Sequence, residues 1–295
     1  MTPNRTAALD SLHGLALGDA FGQTWFRPEG GDADTLIAQR RPQRGPWQWT
    51  DDTAMALTVF RMLRERGEIC QDELAERFAS AYQSDPYRGY GPSMHGVLRE
   101  IFEGEPWAEV TGRQFDGLGS WGNGAAMRVA PLGAWFADDV TIAAEQAALS
   151  AAVTHAHPEA VAGAVAVAVA AALAVRGVSG SSLLKSVLAR TPDSEVASRL
   201  RRIADAPFSL EPQWIASTVG SGWQVSAPDT VPFAVWCAAR HLDDLAGALW
   251  ATASGAGDVD TTCAIVGGIV GARTGLTGEA QRMLSAREPL PAWVG

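Results

Sequence analysis

"PEAVAGAVAVAVAAALAV", residues 158–175, is apolar almost all the way round any helix it forms. Pro158 suits the first helical position, where its missing N–H has no helical partner to lose. The run is nearly long enough to cross a bilayer. It is built from Ala and Val, however, with few bulky side chains to favour lipid and no aromatic belt at its ends. A helix apolar on every face belongs in the middle of a large protein core, and small side chains let its neighbours come close.

The rest of the chain supplies those neighbours. Apolar spacing and start signals predict further helices near 5–18, 51–66, 71–82, 93–103, 123–136, 141–152, 181–190, 194–204, 230–239, 242–253 and 260–273. Alternating strand patterns are nearly absent, so the expected fold class is all-α, a single compact multi-helix domain over 1–295. The weakest helix candidate is "APFSLEPQWIASTVGSGWQVSAPD", residues 206–229, which reads as an irregular surface excursion with room for a short strand or two.

Composition narrows the function classes. Hydrophobic content of 47% with 19% charged residues marks a folded globular chain of 295 residues, not a disordered one. The formal net charge of −10 argues against tight non-specific binding to nucleic acid, which needs a basic surface. The cysteines Cys70, Cys237 and Cys263 form no CxxC pair, and the opening "MTPNRTAALDSLHG" has no signal-peptide apolar region. A cytoplasmic protein with no membrane partner is the expectation.

Two stretches carry acids at helix starts. In "QWTDDTAMALTVFR", residues 48–61, Thr50, Asp51, Asp52 and Thr53 precede an apolar helical run that Gly67 stops. Thr and Asp are favoured there as caps, because their oxygens accept unpaired N–H groups and suit the positive end of the helix dipole. In "SGAGDVDTTCAIVGGIVGARTG", residues 254–275, Asp258, Asp260 and Thr261 repeat the same chemistry far along the chain. Each cluster alone could cap. Together, Asp51, Asp52, Asp258 and Asp260 offer enough negative charge for two divalent cations, with Thr50 and Thr261 adding neutral oxygens. Oxygen donors without His or Cys favour Mg²⁺ or Mn²⁺, or Ca²⁺, over Zn²⁺. This requires the two helix starts to meet in space.

Glycine-rich turns accompany them. "DGLGSWGNGAAMRVAPLG", residues 116–133, places Ser120 and Asn123 among glycines before a helix, a pattern that exposes backbone N–H groups to phosphate or simply makes a capped turn. It is neither a Walker A loop nor a dinucleotide fingerprint. "YRGYGPSMHG", residues 87–96, is a second such approach, in which Tyr90 either stacks on a base or packs. In "THAHPEA", residues 154–160, His155 and His157 lack the spacing of a helical zinc site, so ligand contacts or capping are expected. In "GLALGDAFGQ", residues 14–23, Asp19 either caps or supports the other acids from behind.

These blocks, with "VPFAVW" between the last two, resemble in their order the ADP-ribosylglycohydrolase family, which includes the dinitrogenase-reductase-activating glycohydrolases; the likeness covers almost the whole chain. The resemblance implies an all-α orthogonal bundle with a dinuclear Mg²⁺ or Mn²⁺ centre held by Thr50, Asp51, Asp52, Asp258, Asp260 and Thr261. It implies ADP-ribose, or an ADP-ribosylated substrate, against Ser120, Trp121, Gly122, Asn123 and Gly124, with Gly91, Ser93, Met94 and His155 nearby. The reaction implied is hydrolysis of an α-linked ADP-ribosyl N- or O-glycosidic bond, in which Asp52 and Asp258 are the candidate catalytic acids.

The chain departs from the family pattern at one place. Members often carry a glutamate shortly after the GDxxG turn, and Phe26 stands at that position in "GDAFGQTWFRPEGG". Glu29, three residues on, is the candidate substitute through a shifted loop; without it, a metal-bound water or Asp52 carries the proton transfer. Trp25 and Phe26 are expected to make the entrance more apolar. Two alternatives stay open: an ADP-ribose-binding module with little or no turnover, and another dinuclear-metal hydrolase on the same scaffold.

Overall fold

The computed structural model describes residues 3–294, and in it the Pro158–Val175 helix runs through the core. It is 78% buried, with helices Ala130–Trp135, Val140–Ala152, Ala227–Arg240 and Val259–Thr274 packed round it. No other helix among the described residues is long and apolar enough to cross a membrane. Seventeen α-helices and three short 3₁₀ turns make up the regular structure of the described residues, which holds no strand. The fold is all-α.

The closest helix pair in the molecule is the one that positions the acids. Helix Arg5–Gln23 lies against Val259–Thr274 along a seam of glycines. A Cβ at Gly14 would strike the carbonyl of Gly267, one at Gly18 the carbonyl of Cys263, and one at Gly22 the carbonyl of Val259. The register is therefore antiparallel. As numbering rises on the first helix it falls on the last, and Asp19 arrives beside the start of Val259–Thr274. Close backbone approach, not turn geometry, explains this glycine spacing; dispersion contacts grow steeply as the two helices near.

The seam also corrects the expected end of the first helix. Gly18 does not stop it, and the helix continues to Gln23 because its glycines are packing residues. The expected helix near 123–136 is broken into a 3₁₀ turn, Asn123–Ala125, and the helix Ala130–Trp135. Between them Arg128 is wholly buried and donates to the carbonyls of Gly124 and Ser150, so tertiary bonds shape the backbone there. Ala33–Ala38 and Trp107–Gly112 are short helices that the pattern did not show. Within the excursion 206–229, Pro212–Val219 is helical, and the following helix begins at Ala227. No strand forms there; a lone bridge pairs Ser226 with Gly122.

Candidate active site

Helix Asp51–Arg66 starts as read, with the Thr50 Oγ1 accepting the N–H of Asp52 at 3.4 Å, and ends at Gly67 in the left-handed conformation, φ 81°. Its stronger support comes from Asp19. The buried Asp19 carboxylate accepts the N–H groups of Thr50 at 2.9 Å and Thr53 at 3.1 Å, and lies 2.9 and 2.5 Å from the hydroxyls of the same two residues. Asp19 thus caps a helix that begins more than thirty residues later. The backbone N–H of Asp51 is tied to the carbonyl of Arg88 at 2.7 Å, which brings the glycine turn at 89–91 alongside.

The second cluster behaves differently. Asp258 occupies the N-cap of Val259–Thr274, but its side chain makes no capping bond. Its Oδ2 accepts instead from Asn123 Nδ2 at 2.6 Å, and Asn123 also donates to Thr230 Oγ1 at 3.0 Å. Capping therefore does not explain Asp258. Asp260 Oδ1 takes the N–H of Thr261 at 2.8 Å, and the Thr261 hydroxyl lies 3.5 Å from Asp52 Oδ2. One carboxylate oxygen from each of Asp19, Asp52 and Asp260 falls within 4.8 Å of the others. The two helix starts meet, and Asp19 joins them.

Burial raises the pKa of all five acids, and neighbouring charges add to it for Asp51, Asp52 and Asp260. Burial pushes the Asp19 carboxyl up to about 6, against the pull of its four hydrogen bonds. Asp51 rises to about 7 through burial, with the charges of Asp19 and Asp258 adding to it. Asp52 and Asp260 are held well above the usual carboxylate range, first by burial and then by neighbouring acids. Asp258 is raised by burial, against hydrogen bonds with Asn123, Asp260 and Thr261 that favour its ionised form. Asp52 Oδ1 is buried with no hydrogen-bond partner. A buried, unpartnered oxygen among crowded carboxylates is the donor set of a hard divalent cation. The residues fit such an ion.

Beside the acids opens a cleft of about 340 Å³, within the range of small-ligand pockets. Gly91, Ser93, Met94, Ser120, Trp121, Gly122, Asn123, Gly124 and His155 all line it, as do Asp51, Asp52, Asp258, Asp260 and Thr261. A larger groove of about 720 Å³ runs along helices Asp51–Arg66 and Gln71–Ser84. Its arginines are already paired, Arg61 with Glu65, Arg77 with Glu73 and Arg88 with Glu288, so the smaller cleft is the candidate site.

Several expectations change. Glu29 is exposed, its N–H bonded to Gln43 Oε1, and it borders a separate depression with Arg41 and Arg44, so it does not reach the acids. Trp25 does not face the entrance; it is buried against Phe21 and Trp250, and Phe26 also lies off the cleft. Phe115, Trp121 and Val225 supply the exposed apolar rim instead. Tyr90 packs, edge-on to Tyr82 at 5.1 Å. Of the two histidines, His157 caps the central helix by accepting the Glu159 N–H at 3.1 Å, while His155 faces the cleft. Thr50 lies behind the cleft wall, holding Asp19 and Asp52.

Sequence reading missed Phe115 and Val225, each at φ 50°. Positive φ is looked for at glycine and asparagine, and a β-branched residue there gives no warning. Strain of this kind gathers at ligand sites.

The ADP-ribosylglycohydrolase family model matches residues 1–292. The chain belongs to the ADP-ribosylglycohydrolase family. Human ADP-ribosylhydrolase ARH3 is 31% identical over 261 residues, covering 77% of this chain and 71% of the human protein. The Escherichia coli K12 protein YegU is 31% identical over 301 residues, covering 91% and 87%. A solved ADP-ribosylglycohydrolase-related protein complex superposes with a TM-score of 0.68 at 26% identity, over 97% of this chain and 93% of that one. In this member of the family the acid cluster and the glycine turns occupy one cleft.

Proposed function

We propose that the chain, acting as one domain over 1–295, is a hydrolase that cleaves the glycosidic bond between ADP-ribose and an acceptor, with Mg²⁺ or Mn²⁺ bound at the acid cluster. The observation that carries this reading is the convergence of Asp51, Asp52, Asp258 and Asp260 on one cleft with the turn 120–124 and His155. Family membership and the likeness to ADP-ribosylhydrolase ARH3 support ADP-ribose as the substrate moiety. A reducing cytoplasmic setting fits the three free cysteines.

The residues that would hold two cations are Asp51, Asp52, Asp258, Asp260 and Thr261, with Asp19 and Thr50 supporting them. When bound, such ions supply positive charge that attracts sugar and phosphate oxygens and acidifies water. The protein's own groups supply the rest. Asn123 orients Asp258 by a hydrogen bond at 2.6 Å. Asp52, whose Oδ2 is anchored near Thr50 and Thr261, is the side chain that would take a proton from an attacking water. Backbone N–H groups of the glycine turn and the start of helix Pro92–Phe102 favour a pyrophosphate. Binding energy from that remote end would position the reacting carbon. An oxocarbenium-like transition state gains from the nearby carboxylates.

A second reading, a binder of ADP-ribose with little turnover, is favoured by one observation: among the described residues no glutamate lines the cleft. The deciding experiment measures ADP-ribose release from a panel of ADP-ribosylated substrates, with and without Mg²⁺ and Mn²⁺, beside Asp258→Ala. Metal-dependent release lost in that variant supports the hydrolase. Binding without release from any substrate selects the second reading.

A further inference from the structure

Arg128 is wholly buried, and its guanidinium nitrogens can only donate. One terminal nitrogen donates to the Gly124 carbonyl at 3.2 Å and to Thr154 Oγ1 at 3.0 Å, and the other to the Ser150 carbonyl at 2.7 Å. Thr154, itself fully buried, stands with Oγ1 2.8 Å from Nδ1 of His155. A hydroxyl has one hydrogen. Having accepted from Arg128, it either donates that hydrogen to Nδ1 or accepts a second time, leaving the hydrogen without a partner in a dry interior. The second arrangement costs the desolvation of an unmade hydrogen bond; the first leaves neither the Thr154 hydroxyl nor Nδ1 unpaired.

We infer that Arg128 and Thr154 fix His155 in the neutral tautomer protonated at Nε2, and that this N–H is a built-in donor for a substrate oxygen in the cleft. On the hydrolase reading above, that oxygen belongs to the pyrophosphate or a ribose. The ring is held where such a contact is available. A Cβ at Gly122 would come 3.1 Å from Nε2, and one at Gly124 2.9 Å from it. These two glycines make room for the imidazole, and neither has the positive φ for which glycine is otherwise chosen. Burial, reinforced by the Arg128 charge, lowers the His155 pKa to about 3, so the ring stays neutral throughout the physiological range.

A neutral donor of fixed direction does specific work. It selects an acceptor atom at its position and rejects an N–H or O–H hydrogen. It adds no positive charge to compete with cations for the acids, and it keeps its role across about pH 5 to 8, where an ordinary histidine titrates. Arg128 and Thr154 are positioning residues in this scheme, since they act only through His155.

The test reads the tautomer directly, by long-range proton–nitrogen correlation spectra of the His155 ring in the ligand-free protein. Protonation at Nε2 alone, unchanged from about pH 8 to 5, is expected. Thr154→Val should release the ring into a mixture of tautomers and weaken ADP-ribose on the order of tenfold. Thr154→Ser should restore both. A wild-type ring protonated at Nδ1, or a Thr154→Val protein with unaltered tautomer and affinity, overturns the inference. The wild-type spectrum decides the proton's place even where the valine variant does not fold. An Nε2–H ring in a protein that binds no ADP-ribose would uphold that assignment while removing the substrate reading.

Discussion

The Thr261 hydroxyl lies 3.5 Å from Oδ2 of Asp52, across 209 residues of chain. At this point two helix N-termini face each other, each with about half a positive charge at its end. That is less than five carboxylates need. The crowding is relieved by protonation or by cations, and both can be measured.

Asp52→Asn removes one of the mutually repelling acids. In chelator, this variant should be more stable than the parent by about 1–2 kcal/mol, the usual gain when a functional site's strain is relieved. The parent, by contrast, should gain about 2.7 kcal/mol at a cation concentration near one hundred times Kd, and the variant much less. Thermal unfolding with and without Mn²⁺ or Mg²⁺ checks both signs. A parent melting temperature that neither ion moves would sink the metal site.

The pH dependence of the metal-free protein follows from the raised carboxyls. Asp19 at about 6 and Asp51 at about 7, with Asp52 and Asp260 raised as well, mean that the folded state binds more protons than the unfolded one. Stability therefore falls as pH rises through these values. The histidines act the other way. His13, His155 and His241 have lowered pKa values, so their contribution is lost as pH falls below about 6.5. From about pH 8 down to about 7, where histidine is still mostly neutral in the unfolded chain, the carboxyls dominate and stability should rise. Urea unfolding at those two values should show this slope in chelator and its disappearance with saturating Mg²⁺. A slope of the opposite sign would contradict the crowding.

Asp19→Ala strips a helix of a cap supplied by another helix. It leaves the N–H groups of Thr50 and Thr53 and the Thr53 hydroxyl without their acceptor, while the Thr50 hydroxyl can turn to Asp52 Oδ2. A net loss of about 2–4 kcal/mol is expected, after relief of its own buried charge is set against several unmade hydrogen bonds. Thr53→Val removes only one of those donors and should cost about 1 kcal/mol. Equal losses from the two changes would mean that Asp19 is not the hub of this network.

Gly18→Ala and Gly96→Ala should differ in sign. At Gly18 the added methyl meets the backbone of Cys263, which cannot swing away. A loss of about 3 kcal/mol or more is expected, from helix separation along the seam. At Gly96, inside the helix Pro92–Phe102, nothing lies within 4 Å. Alanine there should add about 0.5–1 kcal/mol through helix propensity. Denaturant midpoints of the two variants separate close packing from propensity.

Much of the helical framework was legible locally. The Asp51–Arg66 helix was readable from Thr50 to Gly67, because caps and left-handed stops are written in adjacent residues. The burial of Pro158–Val175 followed from an apolar surface with no polar face. Most of the cleft-lining residues were recognisable as blocks in a familiar order. The broken segment at 123–130 was not, since Arg128 takes its partners from Ser150 and Thr154.

By itself, then, the sequence determined most of the longer helices, the core helix, the family and the two acid clusters, all properties of residues near one another in the chain or of their order. Tertiary structure alone decided that the clusters meet, that Asp19 joins them through the glycine seam, that Glu29 stays outside, and that His155 rather than His157 faces the cleft. Those outcomes depend on helix register and close backbone approach. Such contacts link residues up to 257 positions apart, as where the Ser11 hydroxyl donates to the Gly268 carbonyl across the seam, and no local pattern of polarity or propensity encodes them.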